Sequence, residues 1–274
     1  MNGASREALA AARERLDALT DSTAVDARAL ADELASVTAL LDREVRLRRT
    51  LTDPARSGEA KAGLAGGLLG GRVGGEVVDL VSGMVRSRWS RSRDLVDAVE
   101  QLADSADLIA ADRDGSLGDV EDELFRFGRI VASSTELRAV LGGQILDERA
   151  RTAKAELLHR LLGGRAKPAT ERLVVRLVSA PRGRSLESGL EALSKLAAER
   201  RDRSVAVVTS AVPLGDGQKR RLGAALTRLY GREVHLNLDV DPAVLGGISV
   251  RIGDDVIDGT VASRLDEVER RMAG

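Results

Sequence analysis

The chain has 274 residues, 43% hydrophobic and 31% charged, with a formal net charge of −1 and a pI of about 6.2. That length supports two or three domains with ample core, and the near-neutral charge excludes a bulk electrostatic pull onto nucleic acid. The lack of cysteine excludes disulfides and thiolate metal sites and fits a reducing compartment, while an aromatic content of 1% leaves Leu, Val, Ile and Ala to fill the cores, which suits helical bundles better than aromatic-lined ligand pockets.

The N-terminus runs straight into a helical pattern without the apolar centre of a signal peptide. Over 5–19, Leu9, Ala12, Leu16 and Leu19 share one face, the mark of an amphipathic helix. Asp21-Ser22 breaks it. A second helix is expected from Val25 to Leu51, with Leu30, Leu34, Val37, Leu41 and Leu47 inward, stopped by Asp53-Pro54. A third runs from Ser57 to Leu69 and ends at Gly70-Gly71. Further helices cover Glu76–Val85 and 94–111, the last with Leu95, Val99, Leu102 and Leu108 apolar.

The pattern then recurs. Lys61-Ala62-x-Leu64-x-x-x-Leu68-Leu69-Gly70-Gly71-Arg72 reappears as Lys154-Ala155-x-Leu157-x-x-x-Leu161-Leu162-Gly163-Gly164-Arg165, an offset of 93 from Lys61 to Lys154. Glu33-Leu34 aligns with Glu123-Leu124, and Leu47-Arg48 with Leu137-Arg138, at an offset of 90; Leu80-Val81-Ser82 is matched to Leu177-Val178-Ser179 at 97. Ordered matches of this kind indicate a duplicated helical domain, with Asp112–Gly118 as the join and the charged run Arg200-Arg201-Asp202-Arg203 as its end.

After that run the period changes. Val205, Val207 and Val208 form a strand; Leu222, Leu226 and Leu229 share a face of a helix over 216–230; Val234, Leu236 and Leu238 alternate as a second strand. Ile248, Val250 and Ile252 alternate with Ser249, Arg251 and Gly253, and Val256-Ile257 begins a return strand after a turn at Gly253-Asp254. A final helix carries Val261, Leu265, Val268 and Met272. The expected fold class is mainly α: two tandem helical bundles, 1–111 and 112–203, then a small α/β module at 204–274.

Several clusters invite chemistry and do not support it. His159 and His235 are far apart, without a ligand-like neighbourhood. Asp239, Asp241, Asp254, Asp255 and Asp258 fit no calcium loop, and the Gly-rich stretches around Lys61 and Gly70 make no phosphate loop. Arg86, Arg88, Arg91 and Arg93 surround Trp89 as either a basic anchor for an acidic partner or a solvated segment with Trp89 covering the core. Phe125 and Phe127 cannot share one helix face, so one is expected in the core.

The ordered set Val207-Val208-Thr209-Ser210-Ala211-Val212-Pro213-Leu214, Asp241-Pro242, Leu245-Gly246-Gly247-Ile248, Arg251-Ile252-Gly253-Asp254 and Val256-Ile257-Asp258-Gly259-Thr260, followed by Arg264-Leu265, resembles the delta subunit of the bacterial F-type ATP synthase, the counterpart of the mitochondrial oligomycin-sensitivity-conferring protein. Thr260 stands where that family usually has serine. Residues 115–274 correspond to a standard chain, and 1–111 looks like an extra bundle, similar to actinobacterial forms. The resemblance implies a non-catalytic stator part without cofactor or metal. It would be peripheral on the cytoplasmic side of the cell membrane and held there through the complex. Its bundle would receive N-terminal helices of alpha subunits, and its α/β module would grip the b subunit of the peripheral stalk. Gly246, Gly247, Gly253, Asp254, Asp258, Gly259 and Arg264 are then structural motif residues. Leu9, Leu16, Arg86, Arg88 and Trp89 become candidate partner contacts. The rival readings are a free-standing helical adaptor and an enzyme using the aspartates of the last module.

Overall fold

The computed structural model describes residues 2–20, 25–143, 148–230, 234–242, 244, 246–252 and 255–260. The chain divides into two compact units, Met1–Ser194 and Lys195–Gly274. The first is helical throughout: α1 (Gly3–Thr20), α2 (Ala27–Arg43), α3 (Val45–Leu51), α4 (Gly58–Leu69), α5 (Gly75–Arg86), α6 (Ser92–Arg113), α7 (Leu117–Ser133), α8 (Thr135–Gly142), α9 (Glu148–Leu162) and α10 (Pro168–Ser179), leading into α11 (Leu186–Ser204).

The single helix expected over 25–51 is in fact two. Asp26 caps α2, its side chain accepting from Arg28 N and Ala29 N. At Glu44 the backbone leaves the helical region (φ −93°, ψ 78°), and the chain restarts as α3. Arg48 bridges the break, its Nη1 donating to Leu41 O and Asp42 O at 3.2 and 3.3 Å. Periodicity does not register this break, because a short interruption leaves Leu41 and Leu51 both buried.

Helix α6 is the centre of the unit. It packs against α1, α2, α3, α5, α7 and α10. Most of its residues are buried, including Asp94, Glu100, Asp104 and Asp107. A helix buried on nearly every face belongs in the middle of a bundle, and its buried carboxylates must then find partners inside the protein. Leu95, Val99, Leu102 and Ile109 fill the surrounding core with Leu16, Leu34, Leu41, Leu80 and Met84.

The order α2–α6 recurs as α7–α11. The starts of α2 and α7 (Ala27, Leu117) and of α3 and α8 (Val45, Thr135) differ by 90 residues. Those of α5 and α10 (Gly75, Pro168) differ by 93, and those of α6 and α11 (Ser92, Leu186) by 94. The capping bonds recur as well. Glu33 Oε2 accepts from Gly74 N, the N-cap of α5, at 2.7 Å. Glu123 Oε2 accepts from Lys167 N, the N-cap of α10, at 2.8 Å, and from Thr170 Oγ1 at 2.5 Å. Gly71 and Gly164 both turn the chain with positive φ, 72° and 69°. This register corrects one sequence match: Leu80-Val81 stands opposite Leu173-Val174, not Leu177-Val178. A four-residue slip is close to one helical turn, so it keeps the same face and imitates the pattern.

A helix N-terminus carries unpaired N–H groups that such a carboxylate satisfies. Glu33→Ala and Glu123→Ala are each expected to lower stability by about 1 kcal/mol, with glutamine in place milder. Urea unfolding of the parent beside the alanine and glutamine variants at each position measures this.

The second unit holds β1 (Val205–Ser210), α12 (Asp216–Tyr230), β2 (His235–Val240), β3 (Ile248–Ile252) and β4 (Asp255–Asp258). The sheet order is β2-β1-β3-β4, with β1–β2 parallel and the other pairs antiparallel. The parallel pair is joined through α12, as a crossover connection requires. Ala206, Val208, Leu226, Val250 and Ile252 form its core. Mainly α with a small α/β module is therefore the fold class. The final helix expected over 261–274 lies outside the described residues.

Candidate helix-receiving grooves

One face of α1 points inward. Leu9 and Leu16 are 9% and 1% exposed and belong to the core. The expectation makes them candidate partner contacts; the structure places both side chains in the chain's own core rather than on an open surface. The adjacent face carries Ala4, Glu7, Ala8 and Ala11. With Thr52, Pro54, Lys61 and the segment Ser87–Ser90 it borders an open groove of about 770 Å³.

Short polar ties set this geometry. Ser5 Oγ, in the first turn of α1, donates to Asp94 Oδ2 at 2.8 Å and accepts from Ser90 N at 2.8 Å. Arg91 Nη2 reaches Asp94 Oδ1 at 3.0 Å. Trp89 is 8% exposed and donates from Nε1 to Met84 O at 2.8 Å. It is core that also forms a groove wall, whereas Arg88 stays exposed at the rim. Arg86 lies 3.9 Å from Glu59 in an exposed pair, which contributes little. Lys61 is buried, with Nζ 3.4 Å from Ser87 O; burial lowers its pKa, with Asp53 acting the other way.

A shift of 93 residues carries Ala4, Glu7, Ala11 and Glu14 of α1 onto Asp97, Glu100, Asp104 and Asp107 of α6, again one helix face. Here the face is closed by arginines. Arg182 Nε lies 3.3 Å from Asp97, and its Nη2 pairs with Glu100. Arg184 Nη2 is 2.6 Å from Glu100. Arg176 reaches Asp104 at 2.6 Å and Asp107 at 2.7 Å, and Arg172 also pairs with Asp107. The remaining cavity is about 430 Å³. It is walled on one side by Ala35, Thr38 and Asp42 of α2, and otherwise by Arg151, Ser179 and Ala180 with members of the ladder. Burial pushes the Asp104 carboxyl up to about 7, opposed by Arg176 and reinforced by Glu100 and Asp107. Sequence reasoning missed this ladder. The acid spacing of 3, 4 and 3 was its visible signal.

In the α/β unit, Gly246 and Gly247 have φ of 86° and 83°. Gly259 N donates to Ile248 O at 2.9 Å, and Asp258 Oδ1 accepts from Thr260 N at 2.9 Å. Hydrogen bonding from Thr260 holds the Asp258 carboxyl below its ordinary range. The Gly-Gly and Asp-Gly-Thr parts of the motif therefore close on each other. Gly253, Asp254 and Arg264 lie outside the described residues. Phe127 is buried and Phe125 is 60% exposed. His159 Nδ1 meets Glu171 Oε1 at 2.5 Å on the surface. Among the described residues, no group of three His, Asp or Glu side chains could hold a metal ion, and no helix is long and apolar enough to cross a membrane.

The family model described as "ATP synthase delta (OSCP) subunit" matches residues 105–272. The chain belongs to the ATP synthase delta (OSCP) subunit family. "ATP synthase subunit delta" of Streptomyces griseus is 74% identical over 274 residues, all of both chains. The subunit of the same name from Thermobifida fusca is 49% identical over 274 residues, again all of both chains, and that from Salinispora arenicola is 48% identical over 98% of this chain and 97% of its own. The delta (OSCP) match enters the chain inside α6 rather than at 115. It takes in the Asp107 end of the acid ladder and leaves α1–α5 outside, while the full-length relatives cover both.

Proposed function

We propose that the chain is a non-catalytic stator subunit of the proton-translocating F-type ATP synthase. It joins the catalytic head to the peripheral stalk on the cytoplasmic face of the cell membrane, and is held there through the complex. End-to-end identity with subunits named ATP synthase subunit delta carries this reading. Residues 1–111 and 112–203 are two copies of one bundle, supported by the recurring caps at Glu33 and Glu123, and α6 serves both, as last helix of one and first of the other. The open groove beside α1 receives an amphipathic N-terminal helix of an alpha subunit, a guest that such grooves suit. The α/β unit grips the b subunit. Two modest contacts linked in one chain raise retention by effective concentration.

Membranes stripped of this chain and of the head are the test. Adding back the head with the full chain is expected to restore ATP-driven proton pumping. Recovery without the chain, or failure of the chain to enter the complex, would reject the reading.

A further inference from the structure

The two bundle copies are unequal as receptors. On α1 the groove-facing positions are Ala4, Glu7 and Ala11; Glu7 and Ala11 are exposed, and a cavity of about 770 Å³ stands over them. At the equivalent positions α6 has Asp97, Glu100 and Asp104, and each is already engaged by this chain's own arginines: Asp97 and Glu100 by Arg182, Asp104 by Arg176. Helix α2 supplies the remaining wall. The position of Glu7, free to meet an incoming group, is thus the position where Glu100 is only 2% exposed.

We propose that this protein offers a single helix-receiving groove, the one beside α1, and that its second copy has lost the equivalent groove to an internal acid–arginine ladder walled by α2. The inference rests on the reading that the open groove takes an alpha-subunit helix. Opening the second groove would require breaking the pairs of Arg176 and Arg182 in a buried setting, where separating one charge from its partner is costly. A guest helix offers nothing equivalent in return: its small and polar side chains would have to displace guanidinium groups already ion-paired with Asp97, Glu100 and Asp104. The duplication has therefore converted one receptor face into a joint. The guest chemistry follows from the surviving face. It is a helix presenting small or apolar residues to Ala4, Ala8 and Ala11, with a cationic group toward Glu7 and an anionic one toward Arg88.

The chain contains no cysteine, so single thiols can report on each groove. Ala11→Cys marks the first and Ser179→Cys the second, both in the full-length protein. With a bulky maleimide, Ala11→Cys is expected to react at least about tenfold faster, because Ala11 is exposed in an open groove whereas Ser179 is half-buried behind the ladder, where a large reagent needs local opening to enter. A synthetic peptide of the same synthase's alpha-subunit N-terminus is expected to bind at one per chain and to protect Ala11→Cys alone. Two peptides per chain, protection of Ser179→Cys, or equal labelling rates would overturn the proposal. Unequal labelling with no peptide binding would reject the alpha-helix guest and with it the single-guest proposal, while the closed second groove would stand.

Discussion

Replacing Arg176 with methionine is expected to cost about 3–5 kcal/mol of stability at pH 8, the range for removing one partner of a buried ion pair. Arg176 touches both Asp104 and Asp107, at 2.6 and 2.7 Å. Asp107 keeps Arg172 in the variant, but Asp104 has no other ion-pair partner among the pairs of the ladder and is nearly buried. The cost depends on pH. Asp104 has its folded-state pKa raised to about 7 from an ordinary 3.8. A carboxyl shifted that way contributes stability that is full below about pH 4 and lost as pH rises through about 7. At pH 8 Asp104 is ionised and Arg176 is what holds that charge, whereas at pH 5.5, below its pKa of about 7, Asp104 is already protonated in the parent, so removing Arg176 there leaves no bare charge at this position. The variant's deficit is therefore expected to shrink at pH 5.5. Adding Asp104→Asn is expected to recover part of the loss at pH 8 and little at pH 5.5. Urea unfolding at the two pH values decides the matter. A deficit below about 1 kcal/mol at pH 8, the worth of an exposed pair, would mean that the ladder is solvated.

The sequence made some of this architecture visible and concealed the rest for physical reasons. Leu9, Leu16, Leu34 and Leu41 recur at helical spacing, so the helices and their inward faces could be read directly, as could β1, α12 and the alternation of Val250 and Ile252 about Arg251. Periodicity reports which face of a helix is apolar. It does not report which neighbour covers that face: the spacing of Leu9 and Leu16 suits a partner helix as well as the chain's own core, and it is the core that they meet. The groove beside α1 was hidden for the converse reason. Apart from Glu7 its α1 wall is alanine, which is as compatible with solvent as with a core. The ladder escaped notice because its acids and arginines are separated by 65 to 85 residues, and a charged helix face is ordinarily solvated; Asp104 and Glu100 are instead 7% and 2% exposed. The repeat was readable from Lys61 and Lys154, but its register in α10 was not, since a slip near one turn preserves the pattern.

The largest single-glycine effect in the α/β unit is expected at Gly247. Its φ of 83° lies in the left-handed region, where an L side chain costs about 1–2 kcal/mol. A Cβ added there would stand 2.4 Å from Gly259 O and 2.9 Å from Thr260 Cα. Both obstacles are backbone, and they cannot swing aside as a side chain would, so overpacking adds about 1–3 kcal/mol. Gly247→Ala is therefore expected to cost about 2–5 kcal/mol in total. Gly259→Ala meets only Ile248 O at 3.2 Å and is expected to be milder. The hydrogen bonds between Gly259 N and Ile248 O and between Asp258 and Thr260 N depend on the same close approach. Loosening at Gly247 should hence appear as faster amide exchange across β3 and β4, with the helical unit unchanged. If the α/β unit grips the stalk, the same variant loses b-subunit binding while retaining the alpha-subunit peptide, because the two contacts sit in different units of the chain. Gly247→Ala with wild-type exchange rates at Val250 would show that the motif glycines are not there for this crossing of backbones.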